Sequence, residues 1–348
     1  FNGDAIIPVK SSLCKFRRKI SYKFFATALN DLFNSFKRPT FRGMHIYAVD
    51  GKKVYIPRSE SLERKGFQGK VLSDYRESYQ LVMYITHAYD ILSGTTKDLI
   101  ASPMHTEIKD ARTMVAGFEK NSITLYDRLF LCFSLLDAHK NANNYFVMRC
   151  KTGSTLKEVV EFANSSEKKA NFEYEGMTLY LVKTKTKKLG ENIFITNLNP
   201  LKFSSKDIEL LYRWRWEVET SFKEFTESLS LEQWHSGDYN NILQELYARL
   251  WLFNATKVLC FNRGDIRHDP CSNVYKKTNF KLCVEWFVRN FNEVMNATRG
   301  IFKELRNVMR VSTETRKRYS RSYKRELKTP ASPYVRNNTI MKVNGIRI

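Results

Sequence analysis

Residues 44–57 read MHIYAVDGKKVYIP. The first seven are largely apolar and end on the carboxylate of Asp50. Gly51 and Lys52 carry turn chemistry, and KVYIP (53–57) returns as a second strand, so the spacing predicts a hairpin. A second apolar run ending on a carboxylate lies downstream, NSITLYD (121–127), which closes on Asp127. SYQLVMYITHAYD (78–90) reads as a long strand or strand pair, NYFVMRCK (144–151) as a strand, and 58–77 as loop. Helical spacing appears at 104–119, where Ala111, Met114, Val115 and Phe118 share a face, and again at 129–141. Strands alternating with helices predict an α/β class with a mixed sheet and helices on both faces.

From 152 to about 192 the character changes. A short helix (LKEVVEFA) leads into NFEYEGMTLYLVKTKTKK, which alternates and has a hairpin signal at Glu175–Gly176, so this stretch reads as a β-rich insertion. ENIFITNL (191–198) returns to strand. Then SKDIELLYRWRWEVETSFKEFTESLSLEQWHS (205–236) has helical spacing, with Ser205 as candidate N-cap and Asp207 in the first turn. Its apolar stripe is Leu211, Trp214, Val218, Phe222, Phe225 and Leu229. Beside it runs a polar stripe, Tyr212, Arg215, Glu219 and Lys223, also three and four apart and so on one face. Such a helix packs on a sheet and presents Glu219, flanked by cations, at its edge.

The 348 residues carry 58 Lys and Arg against 36 Asp and Glu, a formal net charge of +22. A surface this basic attracts polyanions, because each neutralised phosphate releases condensed counterions. Nucleic acid is the first candidate partner and an anionic membrane surface the second. No stretch approaches the roughly 20 apolar residues that span a bilayer. The basic residues cluster at both ends. Lys15, Arg17, Arg18, Lys19 and Lys23, then Lys37, Arg38 and Arg42, surround a helical pattern at 21–36. Residues 299–328 hold eleven basic and three acidic side chains, and from Pro330 the chain reads as an irregular tail. The six cysteines form no CxxC pair, and the six histidines show no zinc spacing. Reduced, buried cysteines fit a cytoplasmic protein. The chain opens on Phe1 with no secretory signal, and its natural start is expected upstream.

Three carboxylates converging at one edge would hold two divalent hard cations, which favour carboxylate and water oxygens. Two ions about 3.5–4 Å apart activate an attacking oxygen and stabilise a leaving one in an in-line phosphoryl transfer.

At this point the sequence resembles a known family. VDGKKVYIP, YDRLF, FVMRCK, FITNL and YRWRWEVETSFKEF, in this order, are similar to the motifs of IS4-type DDE transposases, over roughly residues 40–260. The resemblance implies an RNase H-like fold with a β-rich insertion between the second Asp and the Glu. It divides the chain into a basic helical region (1–43), a first part of the catalytic core (44–150), the insertion (151–192), a second part of the core carrying Glu219 (193–260), and a basic helical C-terminal region with a tail (261–348). It places the family's two Asp and its Glu on Asp50, Asp127 and Glu219, as catalytic residues and ligands of two Mg²⁺, for which Mn²⁺ can substitute. Tyr212 and Arg215 fall on positions that hold a DNA phosphate in the family. After six intervening residues beyond the Glu, that family pattern has a Lys where this chain has Thr226. Lys223, one turn earlier, is a candidate substitute, and Arg128 is a further candidate phosphate contact.

The implied reaction is cleavage at transposon ends followed by strand transfer into target DNA, by a dimeric synaptic complex and without a membrane. A nuclease of the same fold that does not join, and an inactive DNA-binding descendant, remain alternatives. Several local alternatives stay open as well. Asp50 can be a turn residue, and Asp137 and Glu217 compete with Asp127 and Glu219. Arg215 can form an i,i+4 pair with Glu219. Tyr212 can be core edge, Trp214 and Trp216 core, and His235 surface.

Overall fold

The computed structural model describes residues 9–73, 76–151, 153, 156–186, 190–261, 274–317, 339–343 and 346–347. Two helices come first, α1 (Lys10–Lys19) and α2 (Tyr22–Asn34). In α2 the three-and-four spacing buries Leu29 and Phe33, while Phe24 stays exposed. Within the basic cluster of α1, Arg17 is drawn into structure: its guanidinium donates to Gln244 Oε1 at 3.0 Å and to Glu245 Oε1 at 2.9 Å. Lys15, Arg18 and Lys19 remain exposed.

β1 (Ile46–Ile56) runs as one strand, so the expected turn at Gly51–Lys52 does not form. It is followed by α3 (Glu60–Glu63), β2 (Gln68–Ser73) and β3 (Arg76–Asp90); the first two lie in the stretch read as loop. β3 explains the straight path of β1. It pairs antiparallel with β1 in unbroken register from Tyr47↔Asp90 to Ile56↔Leu81, through Asp50↔His87 and Gly51↔Thr86. A fifteen-residue partner strand supplies ladder hydrogen bonds along the whole of β1. Those bonds outweigh the turn preference of an Asp-Gly dipeptide, which is local and weak.

The chain continues through β4 (Thr95–Ser102), α4 (Glu107–Ala116), β5 (Ile123–Tyr126), α5 (Phe133–Ala142) and β6 (Tyr145–Arg149). β4 pairs antiparallel with β3, β5 lies parallel to β1, and β6 parallel to β5. The resulting order, β4-β3-β1-β5-β6, is three antiparallel strands followed by two parallel to the first, joined by helical crossovers. This is the RNase H-like arrangement. Next come α6 (Lys157–Asn164), β7 (Lys169–Tyr174), β8 (Met177–Thr186) and β9 (Gly190–Thr196). They extend the same sheet past β6 in the order β6-β9-β8-β7. The β7–β8 turn is at Glu175–Gly176, both at positive φ (47° and 79°), the backbone that a tight hairpin requires.

The period-two alternation of β1 sorts its residues between two cores. Ile46, Ala48, Val54 and Ile56 join Ile123, Leu125 and Val147 on one face. Tyr47 and Val49 join Tyr126, Phe146 and Met148 on the other, under α4 and α5. The first face is covered by α7 (Ser205–Trp214), α8 (Trp216–Ser228) and α9 (Tyr239–Phe261). All six residues of the apolar stripe at 211–229 are buried there. The helix cap is Ser204, one residue before the expected position, in a reciprocal capping box with Asp207. The stretch that reads as one helix is broken at Arg215, where Arg215 N–H bonds to Tyr212 O and Val218 N–H to Arg215 O. These i−3 bonds tighten the backbone at the one residue of the 205–229 stretch whose charged side chain is buried.

β10 (Val274–Thr278), α10 (Phe280–Arg289), α11 (Phe291–Met295), α12 (Ile301–Ser312) and β11 (Thr313–Lys317) follow. Cys260, Cys283, Leu305 and Met309 form a small core among them. Lys303, Arg306 and Arg310 on α12 are exposed. Residues 318–328 of the basic arm lie outside the described residues, as do 330–338 of the expected tail. The described part of that tail is not irregular: β12 (Thr339–Val343) pairs with the start of β3, and β13 (Ile346–Arg347) pairs with β12. Among the described residues no helix is long and apolar enough to cross a membrane.

Candidate active site

Register places the two aspartates. Ala48 on β1 is the partner of Leu125 on the parallel β5. Continuing that register two residues brings Asp127, the residue that follows β5, level with Asp50, at about the 4.8 Å strand spacing and in phase with the same sheet face. That face is the one α8 covers, and α8 brings Glu219 over β1.

One cation ties the arrangement together. Arg215, at the break between α7 and α8, is buried. Its Nη2 donates to Glu219 Oε1 at 2.9 Å, and its Nη1 lies 3.7 Å from Asp50 Oδ2. The i,i+4 pair, one of the alternatives for Arg215, is therefore present, and it is part of the site. The Tyr212 hydroxyl donates to Asp127 Oδ1 at 3.4 Å, and its ring centre is 5.7 Å from the guanidinium carbon. Asp50, Asp127, Glu219, Tyr212 and Arg215 thus form one connected set. Of the other expected residues, Arg128 is exposed beside Asp127. Lys223 is exposed, lines the cleft and pairs with Glu227 at 3.7 Å. Asp137 is elsewhere, accepting from Tyr174 at 2.9 Å. His235 is exposed against Glu245, and Trp216 is exposed whereas Trp214 is core.

The sequence model of the family described as "Transposase DDE domain" matches residues 42–255. This chain belongs to that family. Among solved structures, a piggyBac transposase synaptic complex with hairpin DNA, determined by cryo-EM, is similar at 11% identity and a TM-score of 0.45. The likeness covers 86% of this chain and 64% of that one. No curated protein matches.

The electrostatics of this DDE domain follow from crowding. Burial pushes the Asp50 carboxyl up to about 6. Arg215 and the Gly51 N–H (2.9 Å from Asp50 Oδ1) pull it down, while Glu219 and Glu107 push it further up. Burial acts against the Arg215 charge, yet Tyr212, Glu219 and Asp50 together hold its pKa above the ordinary arginine value. Burial raises the Tyr212 hydroxyl.

The donors that meet here suit a hard divalent cation, since they are carboxylate oxygens. A positive group already stands between Asp50 and Glu219, in the form of a guanidinium. As the side chains stand, no three His, Cys, Asp or Glu among the described residues are grouped to hold an ion. Asp127 is engaged by Tyr212, one step from the other two carboxylates.

Two residues beside the site escape the sequence reading. Glu107, the first residue of α4, lies over Gly51: a Cβ added at Gly51 would meet Glu107 Oε1 at 2.0 Å. Nothing in the apolar spacing of 104–119 points to it. Lys52 has turn chemistry in the sequence. With β1 unbroken, it lies in phase with Ala48, Asp50 and Val54. Its Nζ donates to Thr226 Oγ1 on α8 at 2.5 Å. Alternation from Ile46 to Ile56 is the signal that could have found it, masked by the Asp-Gly pair.

Proposed function

We propose that this chain is a transposase that cuts DNA at the ends of its own element and joins the freed ends to target DNA, with Asp50, Asp127 and Glu219 as its catalytic carboxylates. The observation that carries this reading is the meeting of Asp50 and Glu219 on one buried guanidinium, with Asp127 level with Asp50 and linked to the same arginine through Tyr212. Two magnesium ions, or manganese in their place, held by the three carboxylates would supply activation of the attacking oxygen and neutralisation of the leaving one. The chain's own groups do the rest. Arg215 and Tyr212 orient a phosphate of the strand being cut, and Arg128 and Lys223 reach phosphates further along it.

In the first stage a water oxygen displaces the 3′ oxygen of a phosphodiester at the element's end, freeing a 3′-OH. In the second, that 3′-OH displaces an oxygen in target DNA, so one phosphodiester forms as another breaks and no ATP is consumed. Two copies, each acting on an end held by its partner, would make the synaptic complex on chromosomal or plasmid DNA.

The test is Mg²⁺- or Mn²⁺-dependent cleavage of the element's own terminal DNA, comparing the parent with Asp50→Ala, Asp127→Ala and Glu219→Ala. Several kcal/mol of charge stabilisation are at stake, so each variant loses at least about 100-fold in rate. Parental activity in any variant removes that residue from the site. Pre-cleaved ends that are never joined to target DNA would leave a nuclease in place of a transposase.

A further inference from the structure

The cleft beside Asp50, about 420 Å³, is walled by β1 and α8, with Lys52, Glu219, Phe222, Lys223 and Thr226 among its lining residues. Its two lysines differ. Lys223 is exposed on the helix surface and pairs with Glu227 one turn on. Lys52 is partly buried and held in place. Its Nζ donates to Thr226 Oγ1 at 2.5 Å and stands 5.8 Å from the centre of the Phe222 ring. Thr226 Oγ1 in turn donates to Phe222 O at 2.9 Å, which fixes its orientation so that a lone pair faces the lysine. An ammonium has three N–H donors; a neutral hydroxyl and an aromatic face do not neutralise its charge, and Glu232, the carboxylate that favours that charge, makes no ion pair with it among the described residues. Holding such a group half out of water costs free energy, and an anion entering the cleft offsets that cost.

We propose that Lys52 binds a backbone phosphate of the DNA strand lying in this cleft, next to the phosphate being cut. The inference rests on the transposase reading above. Asp50 and Lys52 are two residues apart on one strand and on one face. Their side chains therefore emerge about 6.8 Å apart, which puts the lysine on a neighbouring phosphate while the carboxylates face the scissile one. Thr226 is the helix position at which the resembled pattern carries a lysine. The structure brings an ammonium to that position from β1 instead, across 174 residues of sequence. Lys223, one turn earlier on α8, sits out at Glu227.

The experiment uses the full chain and a fluorescent duplex of the DNA bordering its coding sequence, with binding read by anisotropy across a NaCl series. Replacing one phosphate-bound cation reduces the slope of log K against log [salt] by about 0.9. Lys52→Met is expected to show that reduction together with about tenfold weaker binding. Lys52→Arg keeps the parental slope, and Lys52→Met combined with Thr226→Lys recovers it. Should Lys52→Met fail to fold, Lys52→Gln, which keeps a donor toward Thr226, takes its place. A lysine that serves only packing would lower the melting temperature and leave the slope unchanged, and that result overturns the proposal. Failure of the transposase reading looks different: the parent then does not cut the duplex in Mg²⁺ or Mn²⁺, whatever its salt dependence of binding. Parental cleavage that Asp50→Ala abolishes, together with an unchanged slope in Lys52→Met, refutes the Lys52 assignment alone.

Discussion

At the scale of single residues, the site is a problem of negative charge. Asp50, Glu219 and Glu107 crowd one corner of a cleft, and Asp50 responds with a carboxyl raised to about 6 by burial and by its acidic neighbours. Protonation of Asp50 competes with any cation that binds it. The concentration of Mg²⁺ needed for half-maximal cleavage is therefore expected to rise as pH falls through about 6. Gly51→Ala tests the part played by Glu107. The new Cβ would meet Oε1, Cδ and Cγ of Glu107 at 2.0, 2.3 and 2.6 Å, so that flexible side chain has to swing away. With Glu107 displaced, Asp50 ionises more readily and the rise in required Mg²⁺ begins at a lower pH. The cost in stability stays within about 1 kcal/mol, since only a movable side chain gives way. Magnesium titrations of the cleavage rate at pH 5.5, 6.5 and 7.5 decide the matter, and identical curves for parent and variant contradict it. The residue types are legible in the sequence, because carboxylates at strand ends and on a cation-flanked helix face are local patterns. The role of Glu107 is not, because the first turn of a helix records nothing of the strand it lies against.

At the scale of elements, the placing of Glu219 depends on how α8 is held to the sheet. The apolar stripe supplies the attraction, and His87 on β3 adds a polar clamp beneath it. His87 is fully buried; its Nε2 is 3.0 Å from Thr96 Oγ1 and its Nδ1 3.5 Å from Ser221 Oγ on α8. The rings of Phe222 and Phe225 pack against it. Burial lowers its pKa to about 3. Between about 3 and the unfolded value of about 6.5 the unfolded chain binds a proton that the folded one refuses. Stability therefore rises with pH across that window and is lost as pH falls through it, by up to about 1.4 kcal/mol per unit. His139, buried under the opposite face and also lowered to about 3, acts in the same direction. Urea unfolding at pH 7 and pH 5 is expected to show a deficit at pH 5. In His87→Gln that deficit shrinks by ~2 kcal/mol, the share of one histidine titrating near 6.5. An undiminished deficit in the variant would mean that His87 does not titrate on unfolding. Periodicity announces α8 and its buried stripe, but not the break at Arg215, whose charged side chain is held between Glu219 one turn on and Asp50 on β1.

For the whole molecule, a net charge of +22 favours polyanions in general, ahead of any specific contact, and duplex DNA is the one the proposed function calls for. Exposed cations on α1 and α12 stand ready for it, whereas Arg17 is committed to Gln244 and Glu245. Binding of a random-sequence duplex is expected to weaken steeply with NaCl. Five or more neutralised phosphates give a slope of log K against log [salt] steeper than about −4; a nearly flat line would show that the charge is not used this way. By itself, the sequence determined the class of the fold, most strand and helix positions, the buried stripe of the last core helices, the three candidate carboxylates and the basic surface. All of these are properties of composition or of near neighbours along the chain, where periods of 2 and 3.6 residues are written directly. Only the tertiary structure decided that β1 runs straight through Asp50-Gly51, that Arg215 stands between Asp50 and Glu219, and that Lys52 meets Thr226. Each depends on residues far apart in sequence, whose meeting is settled by strand pairing and packing against a common core, and no local pattern records it.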